Sequence, residues 1–358
     1  MGLHAVAEPG LELIRFLTPE GVPCADVPPP VADDELVAMY RLMTRCRAFD
    51  GKAIALQRTG KLGTFASGLG QEAVGVGVAS AMAADDILVP SYRDHAAQFA
   101  RGMRMVECLL YWGGDERGSD FAGPRRDFPN CIPVATQIAH AVGAAYATRM
   151  KKEASVVVTF IGDGGTANGA FYEALNMAGV WNVPVVIVIN NTGWAISTPR
   201  ALESAAKTLA QKGVAAGVAC QQVDGNDVVA VAHVTRRAIA RARAGEGPTL
   251  IEALTYRLGD HTTADDATRY RDPEIVRREW RREPLTRLRA YLQHRGLWSK
   301  EQEAMLLKQC ADEVESAVAD YLATPSPSSD AMFDCLYETL PDSLARQRAE
   351  ARRFSPVK

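Results

Sequence analysis

Two short runs built almost wholly of apolar residues, Ser155–Ile161 (SVVVTFI) and Val185–Ile189 (VVIVI), restrict this chain more than any other feature. A strand with one face in water alternates apolar and polar side chains. A run that is apolar in both phases has to be covered on both faces, as in a parallel sheet. Between the runs stand GDGG and a helical stretch with Phe171, Ala174, Leu175 and Ala178 on one side. Strand, helix and strand in this order make a βαβ unit, for which a right-handed crossover is expected. Val218–Val223 and Thr249–Leu254 read as further strands, with a helix from about Val228 to Ala244 between them. The alternation predicts an α/β fold with a doubly wound, mostly parallel sheet.

The flanks are organised differently. Asp33 and Asp34 open a helical pattern that runs to about Arg58, with Leu36, Met39, Tyr40 and Met43 at helical spacing. Residues 59–70 are glycine-rich and read as a loop, and residues 113–131 as a long polar loop of the functional or mobile kind. Beyond Pro273 the chain turns helical and highly charged. The expected layout is an N-terminal arm over 1–32, an α/β domain over 33–292 and a helical C-terminal extension over 293–358. The arm ends in Pro28-Pro29-Pro30 and reads as extended chain lying on another surface.

Several function classes drop out. The net charge of -3 leaves no basic footprint for nucleic acid. No apolar run approaches the ~18 residues of a membrane span, and the N-terminus lacks the pattern of a signal peptide. The seven cysteines are scattered without a CxxC pair, which argues against a zinc site or a disulfide framework and for the reducing cytoplasm.

In an open parallel sheet, ligands bind beyond the carboxyl ends of the strands. Gly162-Asp163-Gly164-Gly165 stands at one such end, where glycines admit a phosphate and Asp163 offers a hard oxygen. Asn190-Asn191-Thr192 ends the next strand with neutral oxygens. A carboxylate at one tip and an amide at its neighbour suit a magnesium ion that also takes phosphate oxygens. Taken singly, GDG is a common turn and Asn-Asn a common loop.

The segment GDGGTANGAFYEALNMAGVWNVPVVIVINN resembles the thiamin-diphosphate signature. SYRDH (91–95), ATQIAHAVGAAYA (135–147), WAISTPR (194–200), VDGNDVVAV (223–231), GEGPTLIEALTYR (245–257) and HTTADDATRYR (261–271) are similar to one branch of that superfamily. That branch is the α subunit of the decarboxylating component of 2-oxo acid dehydrogenase complexes. The arm sequence LELIRFLTPEG and the stretch LLYWGGDERGSDF look more like bacterial pyruvate dehydrogenases than the branched-chain enzymes, with a branched-chain 2-oxo acid or acetoin dehydrogenase α subunit as the rival of the same group.

The resemblance implies thiamin diphosphate and Mg2+ as cofactors. It implies that Asp163 binds the metal, that Gly164 and Gly165 meet the diphosphate, and that Tyr92, Arg93 and Arg257 reach it. It places His261 near the reaction centre as the catalytic histidine, and the backbone of Ile132 and Val134 against the aminopyrimidine. For Ile132 and Val134 core packing is the alternative reading. Trp194 completes the implied metal set together with either Asn191 or Thr192, depending on whether the alignment is anchored on the asparagine pair or on WAISTP. Phe65 in TFASGL is a candidate wall of the acyl pocket. Only the diphosphate-binding half of the superfamily is visible, so the resemblance implies a β subunit in an α2β2 heterotetramer and a lipoyl acyltransferase as partners. A non-catalytic assembly subunit of the same fold is the rival of another class.

Overall fold

The computed structural model describes residues 11–24, 31–334 and 336–354. Its strands are β1 (Leu13–Ile14), β2 (Ile87–Val89), β3 (Val157–Gly162), β4 (Val185–Asn191), β5 (Trp194–Ala195), β6 (Thr198–Pro199), β7 (Ala219–Asp224) and β8 (Thr249–Leu254). Six of them form one sheet in the order β1-β7-β8-β4-β3-β2, and β5 and β6 make a small antiparallel hairpin. Every pairing in the large sheet is parallel, so all carboxyl ends lie along one edge. The register sets Gly162 beside Asn190, and Asn190 beside Ala253.

The apolar runs are covered on both sides, as their composition requires. Val157, Ile161, Val185, Ile187 and Ile189 pack with Ile138, Ala141 and Val142 of the helix Thr136–Met150 and with Phe171 and Leu175 of the helix Gly169–Trp181. The alternate residues Val158, Phe160, Val186 and Val188 face the helices Glu72–Ser80 and Val228–Arg243 through Val74, Val78, Val231 and Val234. A third cluster gathers beside the sheet. There Met39, Met43 and Cys46 of the helix Asp33–Arg58 meet Leu306, Cys310 and Val314 of the helix Lys300–Ala323. No helix among the described residues is long and apolar enough to cross a membrane.

Two expectations change. The described part of the arm does not lie on another surface but is an edge of its own sheet, with Leu13 beside Gln222 and Ile14 beside Val223. Asp227 is the reason. It caps the helix Val228–Arg243 with Oδ1, and its Oδ2 accepts the amides of Phe16 and Leu17, each at 2.7 Å. Residues 1–10 and Pro28-Pro29-Pro30 lie outside the described residues, as do Cys335 and residues 355–358. The boundary expected at 292 falls inside the helix Pro284–His294. Loop 113–131 is anchored near its end, closing the free edge of β2. Phe128 N donates to the Leu88 carbonyl at 2.9 Å, and Leu88 N donates to Asp127 Oδ1 at 2.8 Å.

Candidate active site

The edge formed by the strand tips holds a cavity of about 310 Å3. Asp163 stands at the end of β3 with 3% of its surface exposed. Its Oδ2 accepts the amides of Thr192 at 3.1 Å and Trp194 at 3.0 Å, and lies 3.5 Å from the Thr192 hydroxyl. Its Oδ1 accepts the Gly164 amide at 3.2 Å. No basic side chain among the described residues pairs with it, and burial pushes its carboxyl above the ordinary value. Buried charges are normally paired or bound to a metal. The Thr192 Oγ1 lies 3.3 Å from the Trp194 carbonyl, so carboxylate, hydroxyl and carbonyl oxygens converge where the tips of β3 and β4 meet.

Side chains alternate beyond β4 as they do within it. Asn190 and Thr192 face the cavity, whereas Asn191 points the other way. The Asn191 amide donates to buried Glu252 Oε1 at 2.7 Å, and its Oδ1 accepts Gly193 N at 3.2 Å. Gly164 and Gly165 are required by the packing of the turn itself. A Cβ on Gly164 would lie 2.3 Å from Ala195 Cβ, and one on Gly165 would lie 2.7 Å from Ile161 Cγ1.

Across the cavity Arg93 clamps two loops. Its Nη1 donates to the Ser67 carbonyl at 2.6 Å, and its Nη2 to the His261 carbonyl at 2.7 Å. The same Nη2 lies 3.2 Å from His261 Nδ1. Guanidinium has no acceptor, so Nδ1 offers a lone pair and the ring proton sits on Nε2. Burial first, then Arg93 and Arg257, lower the His261 pKa to about 4. Tyr92 packs edge-on to His261 with ring centroids 6.4 Å apart.

The low His261 value has a sign. The ring is neutral in the fold and takes a proton once unfolded, so stability is lost as pH falls from 6.5 toward about 4. A His261→Gln chain is expected to show a shallower drop in melting temperature over that interval than the parent. Equal slopes in parallel thermal scans would show that His261 titrates normally.

Arg257 lines the cavity, but its guanidinium turns to the chain. Nη1 donates to the Trp194 carbonyl at 3.1 Å and Nη2 to the Ile196 carbonyl at 2.6 Å. It holds the β5 hairpin in place. Val134 borders the cavity, while Ile132 does not and is 50% exposed. With Val134 at 52%, neither is a core residue. Phe65 is not a pocket wall. It is fully buried against Phe49, His95 and Trp112.

Asn190, named with the strand tip, lines the cavity as well, and sequence reasoning missed Gln71 and Gln137, which also line it. It also missed Glu203, whose carboxyl is shielded from water and raised to about 7 by burial and then by Asp163. No local pattern marks these three, because each comes near the site only through the packing of distant segments.

Residues 40–329 match the dehydrogenase E1 component family. The chain is 40% identical over 351 residues to the 3-methyl-2-oxobutanoate dehydrogenase subunit alpha of Mycobacterium tuberculosis, covering 96% of this chain and 94% of that one. It is 37% identical over 338 residues to the pyruvate dehydrogenase E1 component subunit alpha of Staphylococcus aureus, covering 94% and 91%. Its likeness to the Staphylococcus epidermidis subunit of the same name is 36% over the same length.

Proposed function

The chain belongs to the dehydrogenase E1 component family, among its 2-oxo acid dehydrogenase α subunits, and from that premise we propose that it serves a cytoplasmic enzyme that decarboxylates pyruvate and passes the acetyl group to a lipoyl group. The observation that carries the site is the buried Asp163 carboxylate, unpaired by any described cation and facing the Thr192 hydroxyl and the Trp194 carbonyl. This donor set fits Mg2+, which favours oxygen and takes few protein ligands when phosphates supply the rest. Asp163, Thr192 and the Trp194 carbonyl would hold the ion, with Asn191 committed to Glu252.

Thiamin diphosphate, when bound, supplies the nucleophilic carbon and the electron sink for loss of carbon dioxide. The residues of this chain do the rest. Arg93 and Tyr92 border the space for the diphosphate, a guanidinium and a phenol being suited to phosphate oxygens. Arg257 fixes the hairpin that carries the Trp194 carbonyl. His261, neutral with its proton on Nε2, donates a hydrogen bond instead of taking up a proton. The pyrimidine-binding half and its glutamate would come from a β subunit in an α2β2 assembly, and a lipoyl acyltransferase would receive the acyl group.

The 40% identity to the mycobacterial subunit favours a second substrate reading, 3-methyl-2-oxobutanoate. With the reconstituted α and β chains, kcat/KM for pyruvate is expected to exceed that for 3-methyl-2-oxobutanoate by at least about tenfold, the discrimination of a pocket sized for a smaller side chain. The reverse ratio would establish the branched-chain reading. The α chain alone is expected to turn over neither. Activity retained by an assembly carrying Asp163→Ala would point to a non-catalytic subunit.

A further inference from the structure

A single carboxylate outside the cavity holds both sides of the Arg93 clamp. Asp50 belongs to the helix Asp33–Arg58, is 2% exposed and does not line the cavity. Its Oδ2 accepts the Ser67 hydroxyl at 2.7 Å, and its Oδ1 lies 2.7 Å from His95 Nε2. Ser67 supplies the carbonyl to which Arg93 donates, and His95 follows Arg93 by two residues. One oxygen of Asp50 is therefore hydrogen-bonded to the acceptor segment, and the other stands against the donor segment, of one contact. The Ser67 hydroxyl also accepts the Leu69 amide at 3.1 Å, which braces the loop from inside.

That loop positions His261. Phe65 exchanges two hydrogen bonds with Thr263, Thr263 N to the Phe65 carbonyl and Phe65 N to Thr263 Oγ1, both 2.9 Å. Leu258 N donates to the Leu69 carbonyl at 3.1 Å, and the Thr255 hydroxyl to the Gly70 carbonyl at 2.6 Å. Segment 255–263 is thus stitched to segment 65–70, with Arg93 joining Ser67 to His261 in the middle. These loops have no regular ladder of their own, so a few backbone bonds and buried side-chain contacts set their position.

We propose that Asp50 is a positioning residue: through Ser67 and His95 it sets Arg93, and through Arg93 the place of His261. The proposal rests on the cavity being the cofactor site. Asp50 touches neither the cavity nor a reacting group, and acts only on the geometry of groups that border the cavity. A displacement of about 1 Å in such groups costs up to about a hundredfold in rate.

The test uses the assembled α and β chains carrying Ser67→Ala, Asp50→Asn or, as control, Thr44→Val. Thr44 is buried in the same helix, and its hydroxyl donates to the Tyr40 carbonyl. Three readouts are taken: amide hydrogen exchange over 258–263 without cofactor, binding of thiamin diphosphate with Mg2+ by calorimetry, and kcat. Ser67→Ala is expected to speed exchange over 258–263 and lower kcat about ten- to hundredfold, with little change in melting temperature. Asp50→Asn should do the same more strongly. Thr44→Val should lower the melting temperature and leave exchange over 258–263 unchanged. A folded Ser67→Ala assembly with parental exchange and kcat would overturn the proposal. So would Thr44→Val reproducing the losses of the other two. The exchange readout needs no cofactor, so it separates failure of the pin from failure of the cofactor reading, which Asp163→Ala with undiminished thiamin diphosphate binding would reveal.

Discussion

Replacing Asp163 by asparagine is expected to lower turnover of the assembled enzyme by about a thousandfold or more, while leaving the unliganded chain at least as stable as the parent. The first effect follows from charge. Asp163 is the one anionic group in the proposed metal set, and metal stabilisation of developing charge is worth several kcal/mol, about three decades in rate at ~1.4 kcal/mol each. The second follows from burial. The carboxyl is 3% exposed and has its pKa raised by desolvation. An acid whose folded pKa lies above its unfolded value stabilises the fold only at low pH, and loses that contribution as pH rises through the folded value. At neutral pH its buried charge is a cost that asparagine lacks. The asparagine oxygen still accepts the amides that Asp163 Oδ2 now accepts from Thr192 and Trp194. Thermal scans separate the two effects. Mg2+ with thiamin diphosphate at a hundredfold excess over Kd should stabilise the parent by about 2.7 kcal/mol and leave the variant unmoved. A variant that keeps both turnover and ligand-induced stabilisation would place the metal elsewhere.

The elements that carry Asp163 were the most legible in the sequence, and the reason is local. β8 spans the expected Thr249–Leu254, the first long helix spans the expected Asp33–Arg58, and β3 and β4 differ from their apolar runs only at the ends. Each is long enough for its own residues to report what covers it. β1 and β2 were not legible, because two and three residues form no pattern and their partners are remote, Leu13 with Gln222 and Ile87 with Val157. The site divides in the same way. Asp163, Tyr92, Arg93, Thr192 and His261 were found where a motif ends a strand or resembles a family segment, and they meet in one cavity. Arg257 was found too, but the direction of its guanidinium depends on the Trp194 and Ile196 carbonyls of another loop. Phe65 misled because a glycine-rich stretch reads as exposed loop, whereas Phe49, His95 and Trp112 enclose it.

Thr192→Val and Asn191→Leu are expected to fail in opposite ways, because neighbouring residues at a strand tip face opposite sides. Thr192 Oγ1 stands between the Asp163 carboxylate and the Trp194 carbonyl. Removing the hydroxyl while keeping the shape takes away one neutral oxygen, and should raise the Mg2+ concentration for half-maximal activity about tenfold, a loss of ~1.4 kcal/mol, with the melting temperature nearly unchanged. Asn191 serves the interior instead. Its amide donates to Glu252, which is 1% exposed and also accepts Ala210 N and the Gln222 side chain. Leucine there leaves Glu252 Oε1 without that donor, and an unsatisfied buried polar group costs about 1–3 kcal/mol. The Asn191→Leu chain should therefore unfold at lower denaturant while its folded fraction keeps the parental Mg2+ requirement. Titrating Mg2+ against activity in both variants, beside urea unfolding of each, distinguishes a ligand from a core residue. An Mg2+ requirement that shifts with Asn191 and not with Thr192 would put the metal on the other face of β4, where Glu252 is the buried acid.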